Sequence, residues 1–130
     1  MRIAVIIARS LMGLIFFVFG LNGFLQFIHN PPPPPAAGAF FGALFATVYM
    51  PKLIFGTQVI GGALLLLGVA VPFALTILAP VIVNIIGFHI YLAPEPGAMV
   101  PALLVAALEV FLVWYYRAAF APLFNPPPPG

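Results

Sequence analysis

An apolar stretch from Pro51 to Pro94 constrains the fold of this chain more than any other feature. Within it, only Lys52 and His89 can carry charge near neutral pH, and both lie near its ends. A soluble protein cannot keep so long an apolar run in water. The stretch therefore predicts two membrane-spanning helices joined by a very tight turn.

The composition of the whole chain agrees with this interpretation. The chain has 130 residues, of which 65% are hydrophobic and 5% are charged. Such values are typical of an integral membrane protein, and the length suits one domain of four short spans. The chain has no cysteine, which excludes disulfides, thiol redox chemistry and thiolate metal sites. The net charge of +2 and the lack of a basic patch argue against nucleic-acid binding.

We predict an all-α integral membrane protein: a bundle of four transmembrane helices, with a short interfacial helix between spans one and two. The predicted spans are residues 3–28, 52–68, 72–92 and 100–120, and the interfacial helix covers residues 36–50. These elements form one membrane domain, residues 1–120, followed by a Pro-rich tail at residues 121–130. Pro80 lies in the middle of the third span and is expected to kink it.

Two segments near the N-terminus have alternative interpretations. The apolar run of residues 3–28 is too long for the hydrophobic part of a signal peptide, so we expect a retained span. Asn30 and the prolines of residues 31–35 end that span and favour polyproline II. Residues 36–50 are too short to cross the hydrocarbon core, although a fifth span there would move the C-terminus to the opposite side.

The few charged side chains predict the orientation. In a four-span bundle, Arg2, Arg9 and Arg117 belong to the end that holds both termini, whereas Lys52 and Glu95 belong to the other end. Since positively charged residues favour the cytoplasmic side, both termini are expected in the cytoplasm.

Small residues define the faces on which spans one and two should pack. On span one, a single helical face holds Arg9, Gly13, Phe16, Gly20, Gly23 and Phe27. On span two, one face holds Gln58, Gly61, Gly62 and Leu65. Glycine lets a neighbouring backbone approach closely, so we expect both faces to meet other helices rather than lipid.

Arg9 and Glu109 are the two ionisable side chains predicted to lie well inside the membrane. Leaving either one unpaired costs about 2.5 to 3.5 kcal/mol on insertion scales. Their similar depth and opposite charge predict an ion pair between spans one and four. The alternative is that they form a polar site for a quinone head group or a proton.

Three carboxamides form a second candidate group. Counted from the outer edge of the membrane, Asn22, Gln58 and Asn84 all fall about 9 to 12 Å deep. They either hydrogen-bond to one another and hold three helices together, or line a pocket with Glu109 beneath them.

His29 and His89 are weaker candidates. Both lie near the outer surface, and neutral imidazole could ligate a haem or chlorin from there. Because such ligands are expected on facing buried helices, and His29 adjoins the proline run, we do not assign a cofactor to them. The sequence contains no metal cluster, phosphate-binding loop or Ser–His–Asp set.

Two motifs resemble the DoxX/DoxD-like family of small membrane proteins. The motif Arg9-Ser-Leu-Met-Gly13, with Phe16, Phe17 and Gly20, is similar to the opening of the family's first span. The segment from Gln58 to Gly68 is similar to its second-span signature, and the resemblance covers about Val5 to Phe120. It implies a four-helix protein of the bacterial inner membrane. Some members of that family are linked to membrane redox systems, including thiosulfate oxidation coupled to quinone, whereas most have no assigned activity.

Three functions remain open from the sequence. The first is a non-enzymatic accessory or structural subunit that packs against larger membrane proteins, as in a redox complex, or against copies of itself. The second is a quinone-linked oxidoreductase component in which Arg9, Glu109 and the amides surround the head group. The third is a small carrier of lipid or solute that uses the same cavity.

Overall fold

The computed structural model of the chain describes residues 1–29 and 31–130, and the secondary structure of this part is helical. In chain order the helices are α1 (Arg2–Leu25), α2 (Pro35–Ala46), α3 (Tyr49–Leu67), α4 (Val71–Tyr91), α5 (Pro96–Tyr115) and α6 (Arg117–Phe124). Helices α1, α3, α4 and α5 are long and apolar enough to cross a membrane. The predicted all-α fold, with four spans and a short apolar helix between the first two, is confirmed.

The first span is shorter than predicted, because α1 ends at Leu25 rather than at residue 28. Gln26 adopts the left-handed conformation with φ 51° and ψ 45°, and its N–H donates to the backbone carbonyl of Asn22. The side-chain oxygen of Asn22 also accepts a hydrogen bond of 2.7 Å from the N–H of Ile28. These two bonds turn the chain out of the helix before the proline run. Asn30, which the sequence predicts at the end of this span, lies outside the described residues.

The interfacial helix is also shorter than predicted, because α2 ends at Ala46 and α3 already begins at Tyr49. Thr47 lies between the two helices and bonds to both. Its hydroxyl donates to the carbonyl of Leu44 at 2.7 Å and accepts from the N–H of Met50 at 3.1 Å. One side chain therefore ends α2 and satisfies a free N–H at the start of α3.

The turn between α3 and α4 is as tight as the sequence predicts, and it occupies residues 68–70. Gly68 ends α3 in the left-handed conformation with φ 71°, which glycine adopts without the steric cost of a Cβ. Pro72 lies in the first turn of α4, where a missing N–H costs little. Helix α4 continues through Pro80 to Tyr91.

The fourth span is displaced toward the N-terminus relative to the predicted residues 100–120. Pro96 occupies the first turn of α5, and the helix ends at Tyr115. The guanidinium of Arg117 donates to the carbonyl of Trp114 at 2.9 Å and lies 5.0 Å from the centre of its ring. The chain then continues as α6, which takes in the first residues of the predicted tail.

The four spans pack in a closed ring. Helix α1 packs against α3, α3 against α4, α4 against α5, and α5 against α1. The largest fully buried side chains come from all four spans: Met12, Leu65, Leu75, Leu78 and Leu112. Lipid tails are as apolar as these side chains, so close packing rather than hydrophobicity holds such a bundle together.

Candidate functional site

A close seam between α1 and α3 provides the framework for the polar groups. A Cβ at Gly13 would lie 2.9 Å from the backbone oxygen of Gly62, and one at Gly62 would lie 2.9 Å from the Cα of Phe17. At the other end of the seam, a Cβ at Gly20 would lie 2.9 Å from the backbone nitrogen of Val59. The two backbones are therefore too close for any larger residue at these positions. The packing faces predicted for spans one and two are confirmed except at Phe27, which lies beyond the end of α1 and is exposed. The two helices run antiparallel.

The Arg9 side chain extends along this seam to the C-terminal end of α3. Its Nη1 donates to the carbonyl of Leu65 at 2.7 Å and to that of Leu66 at 3.3 Å. The last carbonyls of a helix have no partner within the helix and form the negative end of its dipole. Arg9 on α1 thus supplies both hydrogen-bond donors and positive charge to the end of α3.

Gly68 makes room for this cap. A Cβ there would lie 3.0 Å from Cζ of Arg9, in addition to the strain of its positive φ. The N–H groups of Gly68 and Val69 both donate to the carbonyl of Leu64. The turn and the Arg9 guanidinium together satisfy three successive carbonyls of the last turn of α3.

The predicted ion pair between Arg9 and Glu109 is wrong. Arg9 binds the end of α3 because the carbonyls there need donors, and the glycine seam leads its side chain to them. Within residues 1–29 and 31–130, neither carboxylate oxygen of Glu109 has a hydrogen-bond partner. Glu109 is nevertheless 8% exposed and lies on the buried face of α5, with Val105 and Leu112. A buried polar group without a partner is costly, which makes Glu109 the strongest candidate for a functional group inside the bundle.

The predicted layer of hydrogen-bonded amides is also wrong, because two of its members bond locally. The Asn22 side chain binds the N–H of Ile28, and Nδ2 of Asn84 donates to the carbonyl of Pro80 one turn earlier at 3.0 Å. Such local bonds compete with bonds between helices. Of the three amides, only Gln58 faces the interior of the bundle. It is 7% exposed and packs against Gly20 in the seam between α1 and α3.

The two histidines do not share a site. His29 is exposed, beyond the end of α1. His89 lies in the last turn of α4, with Nδ1 2.8 Å from the carbonyl of Ile85. His89 lines an open cleft of about 290 Å³, and His29 is not among the residues that line it. In the part of the chain that the structure describes, there is no group of three or more His, Asp or Glu residues that could hold a metal ion.

Two features of the end of the bundle opposite the termini were not predicted from the sequence. Phenylalanines attach α2 to the spans: Phe41 lies 5.1 Å from Phe88 of α4, and Phe45 lies 6.2 Å from Phe55 of α3, measured between ring centres. Glu95 and Met99 line the same cleft as His89. Glu95 precedes α5 and is extended, so no helical spacing relates it to Met99, and the sequence carries no signal for this proximity.

Comparisons of the chain with protein-family models, with curated proteins and with solved structures found no match.

Proposed function

We propose that this multi-pass membrane protein is a non-enzymatic accessory subunit of a larger membrane complex, of the DoxX-like kind that its motifs resemble. The observation that carries the proposal is that most polar side chains inside the spans bind the backbone of the protein itself. Arg9 caps α3, Asn22 ends α1, and Asn84 binds its own helix. These side chains bind backbone groups of the chain itself, as expected of a protein whose task is to pack.

The surface of the bundle supports a packing role as well. All four spans carry large apolar side chains on their outward faces, among them Leu14, Ile60, Val83 and Val110. In the membrane such faces can contact either lipid or the spans of another protein. A small bundle with a rigid α1–α3 seam offers a second protein a surface of fixed shape.

For the location, we propose the bacterial inner membrane with both termini in the cytoplasm. Antiparallel packing puts Arg2 and Arg117 at the end of the bundle that holds the termini, and puts Lys52 and Glu95 at the opposite end. This distribution favours a cytoplasmic location of the arginine-bearing end.

A second candidate function is a quinone-linked component of an oxidoreductase, and Glu109 favours it. Its carboxyl group is buried inside the bundle, with both oxygens free of hydrogen bonds to the described residues. Gln58 is the other buried polar side chain of the described part. A carboxyl and a primary amide can each donate a hydrogen bond to a quinone carbonyl.

One purification experiment distinguishes the two candidate functions. The protein, expressed at its native level, is purified in mild detergent and measured by native mass spectrometry, and its lipids are then extracted. An accessory subunit is expected to appear with larger membrane subunits in fixed stoichiometry. Recovery of the chain alone would contradict that function, whereas one quinone per chain would support the second candidate.

Chemical labelling tests the second candidate directly. The chain has two acidic side chains, Glu95 and Glu109, of which Glu95 is exposed and Glu109 is buried. Dicyclohexylcarbodiimide, which is apolar, should modify Glu109, whereas a water-soluble carbodiimide should modify Glu95. If a quinone occupies the site, added quinone analogue should slow modification of Glu109 and leave that of Glu95 unchanged. Equal rates with and without the analogue would count against a quinone at Glu109.

A further inference from the structure

One outward face of α4 carries polar groups within the span. Five exposed residues share this surface, the α4 face: Phe73, Thr76, Pro80, Asn84 and Tyr91. At about 100° per residue they lie within an arc of about 80°. Between Asn84 and the end of α4 at Tyr91, a rise of about 1.5 Å per residue gives about 10 Å. A helix that crosses a hydrocarbon layer of about 30 Å therefore holds this amide inside the layer.

Asn84 has hydrogen-bonding groups that its own helix does not use. Its Nδ2 donates to the carbonyl of Pro80 at 3.0 Å. A carboxamide has two N–H donors and one acceptor oxygen, so this bond leaves one N–H and Oδ1 without a partner among residues 1–29 and 31–130. Lipid tails offer neither donors nor acceptors, and a polar group left unbonded in an apolar medium is costly.

Pro80 adds a backbone acceptor on the same side of α4. Proline has no N–H, so the carbonyl of Thr76 one turn earlier receives no bond from position 80. The hydroxyl of Thr76 donates to the carbonyl of Pro72 at 2.8 Å, and its oxygen can still accept. The α4 face thus presents hydrogen-bonding groups at two levels of the helix.

The outward faces of the neighbouring spans have a different character. In α1 the exposed side chains include Leu11 and Leu14, and in α5 they include Leu103 and Val110. Such side chains are stable against lipid tails, which are equally apolar. Amides and hydroxyls within a span instead hydrogen-bond across to another helix. The α4 face is therefore a surface for a second helix.

We propose that two copies of this chain bind each other in the membrane through the α4 face. Copies inserted with the same orientation are related by a two-fold axis along the membrane normal, so a residue near the axis meets its own counterpart. A carboxamide is complementary to itself. The free N–H of Asn84 in one copy donates to Oδ1 of Asn84 in the other, and symmetry supplies the reverse bond.

This complementarity favours a second copy over a span that offers only apolar side chains. The dimer goes beyond the proposed accessory role and does not require it. The outward faces of α1, α3 and α5 stay available to other proteins in the dimer.

Cysteine cross-linking tests the contact, since the chain has no cysteine of its own. Phe73→Cys and Tyr91→Cys put one thiol near each end of the α4 face. Ile3→Cys in α1 and Val100→Cys in α5 are matched controls, because both positions are exposed and lie at the corresponding ends of the bundle. When the full-length variants are oxidised in phospholipid vesicles, we expect disulfide-linked dimers from both α4 variants and background levels from both controls.

A second measurement removes the amide. Asn84→Leu replaces the carboxamide with an apolar side chain of similar size, and should weaken the dimer by about tenfold or more because two hydrogen bonds are lost. Energy transfer between copies labelled at Gly130→Cys, measured over a range of protein-to-lipid ratios, gives the affinity. Asn84→Gln keeps a self-complementary amide and should retain part of the association.

Several results would overturn the proposal. Equal cross-linking in all four cysteine variants would show random collision instead of a contact. A dimer of unchanged affinity in Asn84→Leu, with helix content equal to wild type by circular dichroism, would remove the role of the amide. Cross-linking of Tyr91→Cys in native membranes to a larger protein, with no linked dimer, would assign the α4 face to a different partner.

Discussion

Nη1 of Arg9 donates to the carbonyl oxygen of Leu65 at 2.7 Å, so that the first span caps the C-terminus of the third helix. The last carbonyls of a helix have no partner within the helix, and each needs a donor. The arginine therefore stabilises the tight α3–α4 turn. This role differs from a counter-ion for Glu109, and the two roles make different predictions for mutants.

Arg9→Leu is expected to lower the free energy of unfolding by about 1.5 to 3 kcal/mol, since it removes a charged donor from two carbonyls. Arg9→Lys should recover part of this loss, because it keeps the charge near the helix end but not the planar pair of donors. Unfolding in mixed micelles of increasing denaturing detergent measures the difference. A Lys variant less stable than the Leu variant would contradict the capping role.

Removing Arg9 and Glu109 together distinguishes a cap from an ion pair. Arg9 donates to the end of α3 and shares no hydrogen bond with Glu109, so the effects of Arg9→Leu and Glu109→Leu should add within about 0.5 kcal/mol. We expect Glu109→Leu alone to leave the stability unchanged or to raise it, because it removes an unpartnered buried carboxyl. An ion pair would instead make each single variant unstable and the double variant less so.

The sequence was sufficient for the fold because the pattern that decides it is local. Spans, the tight turn at residues 68–70, and the faces around Gly13 and Gly62 follow from hydropathy and from the helical repeat. The partners of the polar residues were not predictable in this way. Depth and charge predict an ion pair between Arg9 and Glu109. Backbone carbonyls, which every residue has, compete with the carboxylate for the guanidinium N–H groups of Arg9. Asn22 and Asn84 likewise bind nearby backbone groups instead of each other.

Gly62→Ala should destabilise the α1–α3 seam. The added methyl group would lie 2.8 Å from the backbone oxygen of Gly13 and 2.9 Å from the Cα of Phe17, and neither backbone can move without separating the helices. We expect a loss of about 1 to 3 kcal/mol in unfolding by denaturing detergent. Gly87→Ala is the matched control, since a Cβ at Gly87 in α4 meets nothing within 4 Å. It should be neutral or stabilise by up to about 1 kcal/mol, and an equal loss in both variants would contradict the close seam.

Asn22→Ala should act only at the end of α1. It removes the acceptor of the Ile28 N–H, so hydrogen exchange should become faster at Ile28 and in the last turn of α1, with a loss of stability of about 1 kcal/mol. Asn84→Ala, which removes an exposed amide bonded within α4, is the control and should leave exchange in α1 unchanged. Faster exchange around Gln58 in α3, in the absence of any change at Ile28, would instead support a layer of amides between helices.

Because the chain contains no cysteine, single cysteines can report the side on which each loop lies. We choose Pro32, Gly97 and Gly130, which are exposed and belong to the α1–α2 loop, the start of α5 and the C-terminus. With four spans, a membrane-impermeant maleimide added to intact cells should label cysteines at residues 32 and 97, and should label the one at residue 130 only after the membrane is opened. If α2 crossed the membrane as a fifth span, residues 32 and 97 would lie on opposite sides. The pair therefore tests whether α2 lies at the interface, and residue 130 tests the cytoplasmic location of the termini.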